Sequence, residues 1–338
     1  MLIGYHASHE QFSPEDLLGL AREAERAGFA AVLSSDHFKP WSDQQGESGF
    51  AWTWLGAAMQ ATHVPFGTLA VPGGWRYHPA IVAQAGATLS RLFPGRLAWL
   101  GLGSGEALNE CVVGQGWPPK EERDRRLEEG ARIIRELWSG RMVSSDGPIP
   151  VRDARLYTLP AAPHPLLIGA ALTTETAEWL GAWADGLITV NMPPERLREM
   201  IAAFHRGGGA GKRLVLQMHL SWAQTDEEAR DLALRNWRFN VVEPERAENC
   251  ASPDDFEEAT RDLRAEDLEG HVIMSSDPDR FVATIAEVAN LGFDELYLHN
   301  VGGNQRAFLA AFAEHVLPRL PERVRAVPSA VTCDSANA

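Results

Sequence analysis

The feature that most narrows what this chain can become is a repeated alternation. Eight short apolar runs of strand length occur at residues 2–5, 29–34, 66–71, 97–102, 166–171, 186–190, 214–222 and 295–300. Each is followed, sooner or later, by a stretch with helical periodicity. The first such stretch shows the pattern. Ser13 supplies an N-cap, Pro14 suits the first helical position, and Glu15 and Asp16 complement the helix dipole. Leu17, Leu20, Ala21, Ala24 and Ala27 then recur at helical spacing until Gly28 closes the helix. Strands alternating with helices throughout argue a parallel sheet with right-handed crossovers. Eight such units fit a closed (β/α)8 TIM barrel better than an open, doubly wound sheet.

The length of 338 residues suits that reading, because α/β barrels are single domains well above the average size. We assign residues 1–325 to one barrel domain and expect residues 326–338 to form a disordered tail. Two stretches interrupt the alternation. Residues 143–159 carry Gly, Pro and short apolar pairs and predict a hairpin-like excursion. Residues 243–270 are acidic and without clear period, and are expected to be an inserted, irregular lid at the carboxyl end of the barrel.

The formal charge of −15 argues against nucleic acid or an anionic membrane surface as a partner. No apolar run is long enough to span a bilayer, and the N-terminus lacks the basic and apolar regions of a signal peptide. The three cysteines, Cys111, Cys250 and Cys333, are widely spaced and fit a reducing, cytoplasmic setting. Only three lysines are present, Lys39, Lys120 and Lys212. Anion recognition must therefore rest on arginine, backbone N–H groups or helix N-termini.

In a barrel of this kind the chemistry sits at the carboxyl ends of the strands. The stretch 97–110, LAWLGLGSGEALNE, stands out there. A buried strand runs into glycines at 101, 103 and 105, and Glu106 follows at once. Stripped backbone beside an acid lets a flat or anionic ligand approach. Asp36, His37 and Trp41 follow the second strand, and imidazole titrates where general acid–base work is done. Gly169, Ala170, Ala171 and Leu172 open a helix after the fifth strand, where free N–H groups suit a phosphate. No G-x-x-x-x-G-K-[ST] or complete G-x-G-x-x-G is present, which excludes a P-loop and a dinucleotide fingerprint. Four strand-end histidines, His6, His37, His219 and His299, permit a metal reading. The H-x-x-H spacing of His6 and His9 sends two strand residues to opposite faces, so no metal ligand is assigned.

Several stretches together resemble the luciferase-like monooxygenase superfamily, and within it the F420-dependent glucose-6-phosphate dehydrogenase branch. They are Ser35-Asp36-His37-Phe38 with Pro40-Trp41, Arg76-Tyr77 with Pro79-Ala80, and Gly103-Ser104-Gly105-Glu106-Ala107-Leu108-Asn109-Glu110. Ser276-Asp277-Pro278-Asp279 and Gln305-Arg306 match near the C-terminus, so the resemblance runs to about Pro321. It implies a TIM barrel, a homodimer, and a flavin-type ring at the strand ends. It implies a non-proline cis peptide at Leu69–Ala70, which would press the backbone against that ring. Asp36, Ser104 and Asn109 would hold the cofactor, and its phosphate would lie on Gly169 to Leu172. His37, Trp41 and Glu106 would face the reacting carbon, with His37 as general base or acid, Glu106 as partner acid and Trp41 positioning the rings.

Three departures bear on the cofactor and substrate. The sugar-phosphate enzymes place a lysine after the sixth strand, where this chain has Asn191-Met192-Pro193-Pro194. A second expected lysine is missing around Leu268-Glu269-Gly270-His271, and His6 stands where the deazaflavin enzymes tend to have lysine. These departures favour FMN, with F420 as the alternative. The expected function is a flavin-dependent oxidoreductase that passes hydride between a small organic substrate and flavin N5, with oxygen as one candidate acceptor. The alternatives are an F420-dependent dehydrogenase and a flavin-binding protein without catalysis.

Overall fold

The computed structural model describes residues 1–324. The expected tail, 326–338, lies outside the described residues. The strands are β1 (Leu2–Ala7), β2 (Ala31–Ser34), β3 (Phe66–Ala70), β4 (Leu97–Leu102), β5 (Val143–Ser145), β6 (Val151–Ala154), β7 (Leu166–Ala170), β8 (Gly186–Val190), β9 (Arg213–Trp222), β10 (Ile273–Ser275) and β11 (Glu295–Asn300). The helices are α1 (Pro14–Arg26), α2 (Ala51–Ala61), α3 (Pro79–Leu92), α4 (Ala107–Glu110), α5 (Lys120–Trp138), α6 (Thr174–Trp183), α7 (Pro194–Phe204), α8 (Asp226–Trp237), α9 (Pro244–Ala247), α10 (Pro253–Ala259), α11 (Pro278–Asn290) and α12 (Gln305–Ala311).

Eight parallel strands close in the order β1-β2-β3-β4-β7-β8-β9-β11, with β11 paired back to β1. β9 is the longest strand and closes the ring by serving three neighbours. Its first half pairs with β8, its last three residues pair with β10, and its middle pairs with β11. The antiparallel β5–β6 pair is the excursion expected at 143–159. Local chemistry sets the first unit as the sequence predicts. Ser13 accepts from the Asp16 N–H, and Gly28 turns the chain with φ 98°. β2 starts at Ala31 rather than 29, because the Phe29 N–H donates back to the Ala24 carbonyl and still belongs to the helix end.

Two apolar layers result, one between sheet and helices and one inside the barrel. The inner one contains Leu2, Leu33, Trp99, Ile168, Val215 and Tyr297. Glycines on the strands make its large rings fit. A side chain at Gly67 would collide with the Trp99 indole, and one at Gly4 with the Tyr297 ring. Glu295 is held among them by the Trp99 indole N–H at 2.9 Å and the Tyr297 hydroxyl at 2.7 Å. That layer plugs the amino end of the barrel and leaves the carboxyl end for chemistry.

Two expectations are corrected. Leu69–Ala70 is not a cis peptide; among the described residues the one cis bond is Ala162–Pro163. Leu69 and Ala70 instead stay in register with Gly101 and Leu102 of β4, so the ladder runs through the bond in its ordinary form. The 243–270 stretch is not irregular throughout. It holds α9, α10 and a single 3-10 turn, and Ser252 and Asp255 form a reciprocal capping box at the start of α10. Short helices such as α9, with no buried residue, and α10, with Phe256 alone, carry too little periodicity to be seen as a pattern.

Candidate active site

The carboxyl ends of β1, β2, β3 and β4 bring together the loops that sequence reasoning singled out. His37, half-buried after β2, turns its Nδ1 to Glu10 Oε1 of the β1 loop at 3.1 Å. The contact is at ion-pair distance and neither atom has another partner among the described residues. Glu10 is fully enclosed and accepts from the Ser8 hydroxyl at 2.6 Å and the Ser35 hydroxyl at 2.9 Å. Burial alone would raise its pKa, but His37, the Ser8 hydroxyl and a backbone N–H outweigh burial and lower it. An ionised Glu10 favours the tautomer of His37 that carries its proton on Nδ1, which leaves Nε2 as the reactive nitrogen. His9 locks the same corner, with its Nε2 3.0 Å from the Ser34 hydroxyl and its N–H on Ser35 Oγ.

Trp41 meets the His37 ring edge to face, with centroids 4.9 Å apart, and is held from behind by Phe256 of α10. Glu106 occupies the N-cap position of α4 but makes no capping hydrogen bond. Its Oε2 is enclosed and has no partner among the described residues. Burial raises the pKa of this carboxyl, and Glu10 and Glu248 push the same way while His37 opposes them. An unpartnered acid that burial biases toward its protonated form, close enough to His37 to feel its charge, is chemically poised, in contrast to the helix-dipole role open to any first-turn acid.

Asp36 and Asn109 are engaged with the protein itself. Asp36 accepts both Nη groups of Arg76, at 3.3 and 2.9 Å, and the Tyr77 hydroxyl at 2.9 Å. Arg76 also reaches Glu110, through its backbone N–H at 3.2 Å and its Nε at 3.5 Å. Asn109 Oδ1 accepts the N–H groups of Phe38 and Lys39. These contacts tie the loops after β2, β3 and β4 into one rigid rim. Ser104, by contrast, is half-buried and makes no hydrogen bond among the described residues.

Small residues open the opposite side of the mouth. Leu69 and Gly101 face each other across β3 and β4, and a side chain at Gly101 would press on the Leu69 methyl. A side chain at Gly103 would meet only the Gly105 nitrogen, at 3.9 Å, so the end of β4 presents bare backbone. On β7, Gly169 lies directly over Leu180, Ala170 is half-buried, and Leu172 is exposed. The Ala171 N–H goes to the Ile188 carbonyl, and Thr173 caps α6 by accepting from Thr176. The N–H groups of Leu172, Thr173 and Thr174 find no acceptor among the described residues. Unpaired amides at a helix start are available to an anion.

Sequence reasoning missed the groups that organise these residues. Glu10, Ser35, Arg76 and Glu110 were not assigned roles, yet each is buried or nearly so and holds a named site residue. Glu10 follows a strand-end histidine pair directly, and that adjacency was a usable signal. The insertion was also expected without its anchors. The Glu248 carbonyl accepts the Ala107 N–H, and its carboxylate grips the buried Arg123 at 2.6 and 3.2 Å. Lys39 reaches the Ala251 carbonyl at 2.9 Å. The 243–270 stretch is thus seated on the loops that carry Glu106 and His37. No group of three or more His, Cys, Asp or Glu among the described residues is arranged to hold a metal ion. No helix among them is long and apolar enough to cross a membrane.

Comparison with known proteins places this geometry. The family pattern described as luciferase-like monooxygenase matches residues 2–295. The chain is 38% identical to the F420-dependent glucose-6-phosphate dehydrogenase of Nakamurella multipartita, over 94% of this chain and 96% of that protein. It is 37% identical to the enzyme of the same name from Beutenbergia cavernae, over 96% and 99%. Among solved structures it is similar to an F420-dependent secondary alcohol dehydrogenase in complex with an F420-acetone adduct. That match has a TM-score of 0.88 and 28% identity, and covers 95% of this chain and 99% of the other.

Proposed function

The chain belongs to the luciferase-like monooxygenase family and is an oxidoreductase, and on that premise we propose that it is an F420-dependent dehydrogenase acting on an alcohol and its carbonyl counterpart. The relatives weigh toward the deazaflavin and away from FMN, which the departures at His6 and at the missing lysines had favoured. The residues present fit such a group. Bare backbone at Gly103 suits the edge of a flat tricycle, and the free amides of Leu172 to Thr174 suit its phosphate. Leu69, Ala70 and Ser104 would border the ring, and Gly169, Ala170, Ala171 and Leu172 the phosphate. Asp36 and Asn109 would act from behind, by holding the rim. When bound, the deazaflavin supplies the carbon that accepts or returns a hydride.

The protein's part is positioning and proton management. His37 Nε2 takes the hydroxyl proton of the alcohol as its C–H hydride leaves, and returns it in the reverse direction. Glu10 stabilises the imidazolium that results and keeps the ring in one tautomer. Glu106, unpartnered at Oε2 and biased by burial toward its protonated form, would supply the one proton that a bound deazaflavin takes up with the hydride, while the hydroxyl proton stays on His37. Trp41 walls the substrate side, and the seated insertion keeps bulk water off. The observation that carries the proposal is the enclosed Glu10 carboxylate against half-buried His37, beside an unpartnered Glu106 at the carboxyl end of a barrel. Titrating the purified protein with F420 and with FMN tests it, followed by anaerobic assay of alcohols with whichever binds. F420 binding with alcohol-dependent reduction is the expected result; FMN binding alone would overturn it.

A further inference from the structure

The inner wall of the barrel mouth carries three histidines that the reaction above does not use. His6 of β1, His219 of β9 and His299 of β11 are each at most 4% exposed. His6 and His299 stack with centroids 4.2 Å apart, and His219 lies 5.4 Å from His299. Trp237, at the end of α8, closes over both, 4.4 Å from His299 and 5.3 Å from His219. We propose that His6, His219 and His299, roofed by Trp237, are the substrate-specificity subsite, and that it selects an uncharged oxygenated substrate, an alcohol or ketone, over a phosphorylated one. This rests on the dehydrogenase reading and names its substrate class.

The nitrogens left without partners are the first argument. Nδ1 of His6, His219 and His299 is buried and unpaired among the described residues in all three rings. Buried polar atoms without partners are costly, so three in one cluster mark a place that a ligand satisfies. Their neighbours fix what each offers. Gln11 spends its amide N–H on the Val301 carbonyl at 2.8 Å, so its oxygen faces His299 Nε2 at 2.9 Å. His299 must therefore donate from Nε2, and its Nδ1 is an acceptor. The Gln217 amide nitrogen lies 3.0 Å from His219 Nε2, which puts the proton of His219 on Nδ1 as a donor. An acceptor and a donor on rings whose centroids lie 5.4 Å apart match a hydroxyl or a carbonyl group.

Charge is the second argument. Burial lowers the pKa of His6 to about 4 and of His219 to about 3, and that of His299 falls as well. All three rings are neutral at pH 7 and cannot balance a phosphate. The cations on the loops that carry Asp36, His37 and Glu106 are already committed, and Arg230 and Arg280 line a separate cavity with Asn191 and Met192. Arg76 is paired with Asp36 and Glu110, Arg123 with Glu248, and Lys39 with the Ala251 carbonyl. The other two lysines are held at Asp124 and at the Gly181 carbonyl. The cluster also sits beside the chemistry, since His6 is close enough to Glu10 and His37 for their charges to interact.

The test is nitrogen-resolved NMR of protein labelled in its histidine rings, with and without bound cofactor, at neutral pH. The probes are a series of secondary alcohols and ketones from propan-2-ol to cyclohexanol, with glucose 6-phosphate and inorganic phosphate in parallel. The expected result is that an alcohol or ketone moves the ring nitrogens of His219 and His299 and that the phosphates do not. His219→Phe, which keeps the ring contact with Trp237, should raise KM for the best alcohol roughly tenfold while cofactor affinity stays within about twofold. Phosphate-induced shifts in these rings, no shift from any uncharged probe, or an unchanged KM in His219→Phe would each overturn the proposal. If the protein binds neither F420 nor FMN, the dehydrogenase reading fails. The NMR arm on cofactor-free protein still decides whether these histidines hold uncharged ligands.

Discussion

His37 Nδ1 lies 3.1 Å from Glu10 Oε1, so a ring on the β2 loop is oriented by a carboxylate on the β1 loop. Glu10 has two hydroxyl donors of its own and no route to solvent, which makes it a positioning group rather than a proton acceptor. Replacing it by Gln keeps the shape and removes the charge. Turnover should fall by roughly a hundredfold, and the acid limb of the kcat profile should move, because the imidazolium loses its counter-ion. Cofactor affinity should stay the same. A variant with full turnover and an unshifted pH profile would remove Glu10 from the mechanism.

Glu106 makes a separate prediction, because its Oε2 is enclosed without a partner and the proposed reaction assigns it a proton. Burial favours its protonated form. Glu106→Gln should leave the cofactor bound and slow the hydride step by roughly a hundredfold in single-turnover measurements. Equal slowing of binding and chemistry would indicate a misplaced α4 instead of a lost proton.

The two halves of the site were not equally legible. The barrel, the eight strands and the carboxyl-end rule could be read from periodicity, because each strand–helix unit carries its own caps and its own apolar face. His37, Trp41 and Glu106 followed from that rule and from resemblance. Glu10, Ser35 and Arg76 did not, because their importance lies in what they touch from other loops, 25 to 40 residues away in sequence. The same holds for Asp36. The resemblance implied a cofactor contact for it, and the structure adds that its oxygens accept from Arg76 and Tyr77. The insertion was legible as a composition shift but not as helices, since segments of four to seven residues show too few turns for a period.

The buried neutral histidines predict acid lability. The pKa of His6 and of His9 is lowered to about 4 and that of His219 to about 3, in each case chiefly by burial. The unfolded chain binds protons near pH 6.5, whereas the folded chain resists them. The stability these rings contribute is full above pH 6.5 and is lost as pH falls toward 4, by up to roughly 3 kcal/mol for each ring. Chemical denaturation at pH 7, 6, 5 and 4 should show a steep decline. His219→Phe should flatten part of it, and an unchanged slope would mean that this ring is protonated in the folded state.

The insertion should depend on one ion pair. Arg123 is 1% exposed and stacks on Trp117, and Glu248 is its one carboxylate partner among the described residues. Glu248→Ala leaves a buried guanidinium uncompensated, which should cost about 2 to 4 kcal/mol. Because Glu248 also receives the Ala107 N–H, the loss should be local. Amide exchange across 243–270 should quicken well beyond that of the barrel strands. Uniform loss of protection would show that the insertion and the barrel open together.

Glu110 yields the opposite pH dependence from the histidines. Its side chain is fully enclosed, and Arg76, already paired with Asp36, reaches it at 3.5 Å. Burial raises its pKa to about 7, against the lowering pull of Arg76. The folded state therefore holds this proton from pH 4.5 up to about 7, while the unfolded chain has lost it. The group's stabilising contribution is complete below pH 4.5 and fades as pH rises through 7, by roughly 3 kcal/mol. Glu110→Gln keeps an acceptor for the Arg76 N–H and cannot ionise. Its stability relative to the parent chain should rise steadily between pH 4.5 and 8, and the difference isolates Glu110 from the histidine effect. A difference that stays flat across that range would show that Arg76 keeps Glu110 ionised, so that one guanidinium serves two carboxylates and the rim of the mouth carries a buried negative charge.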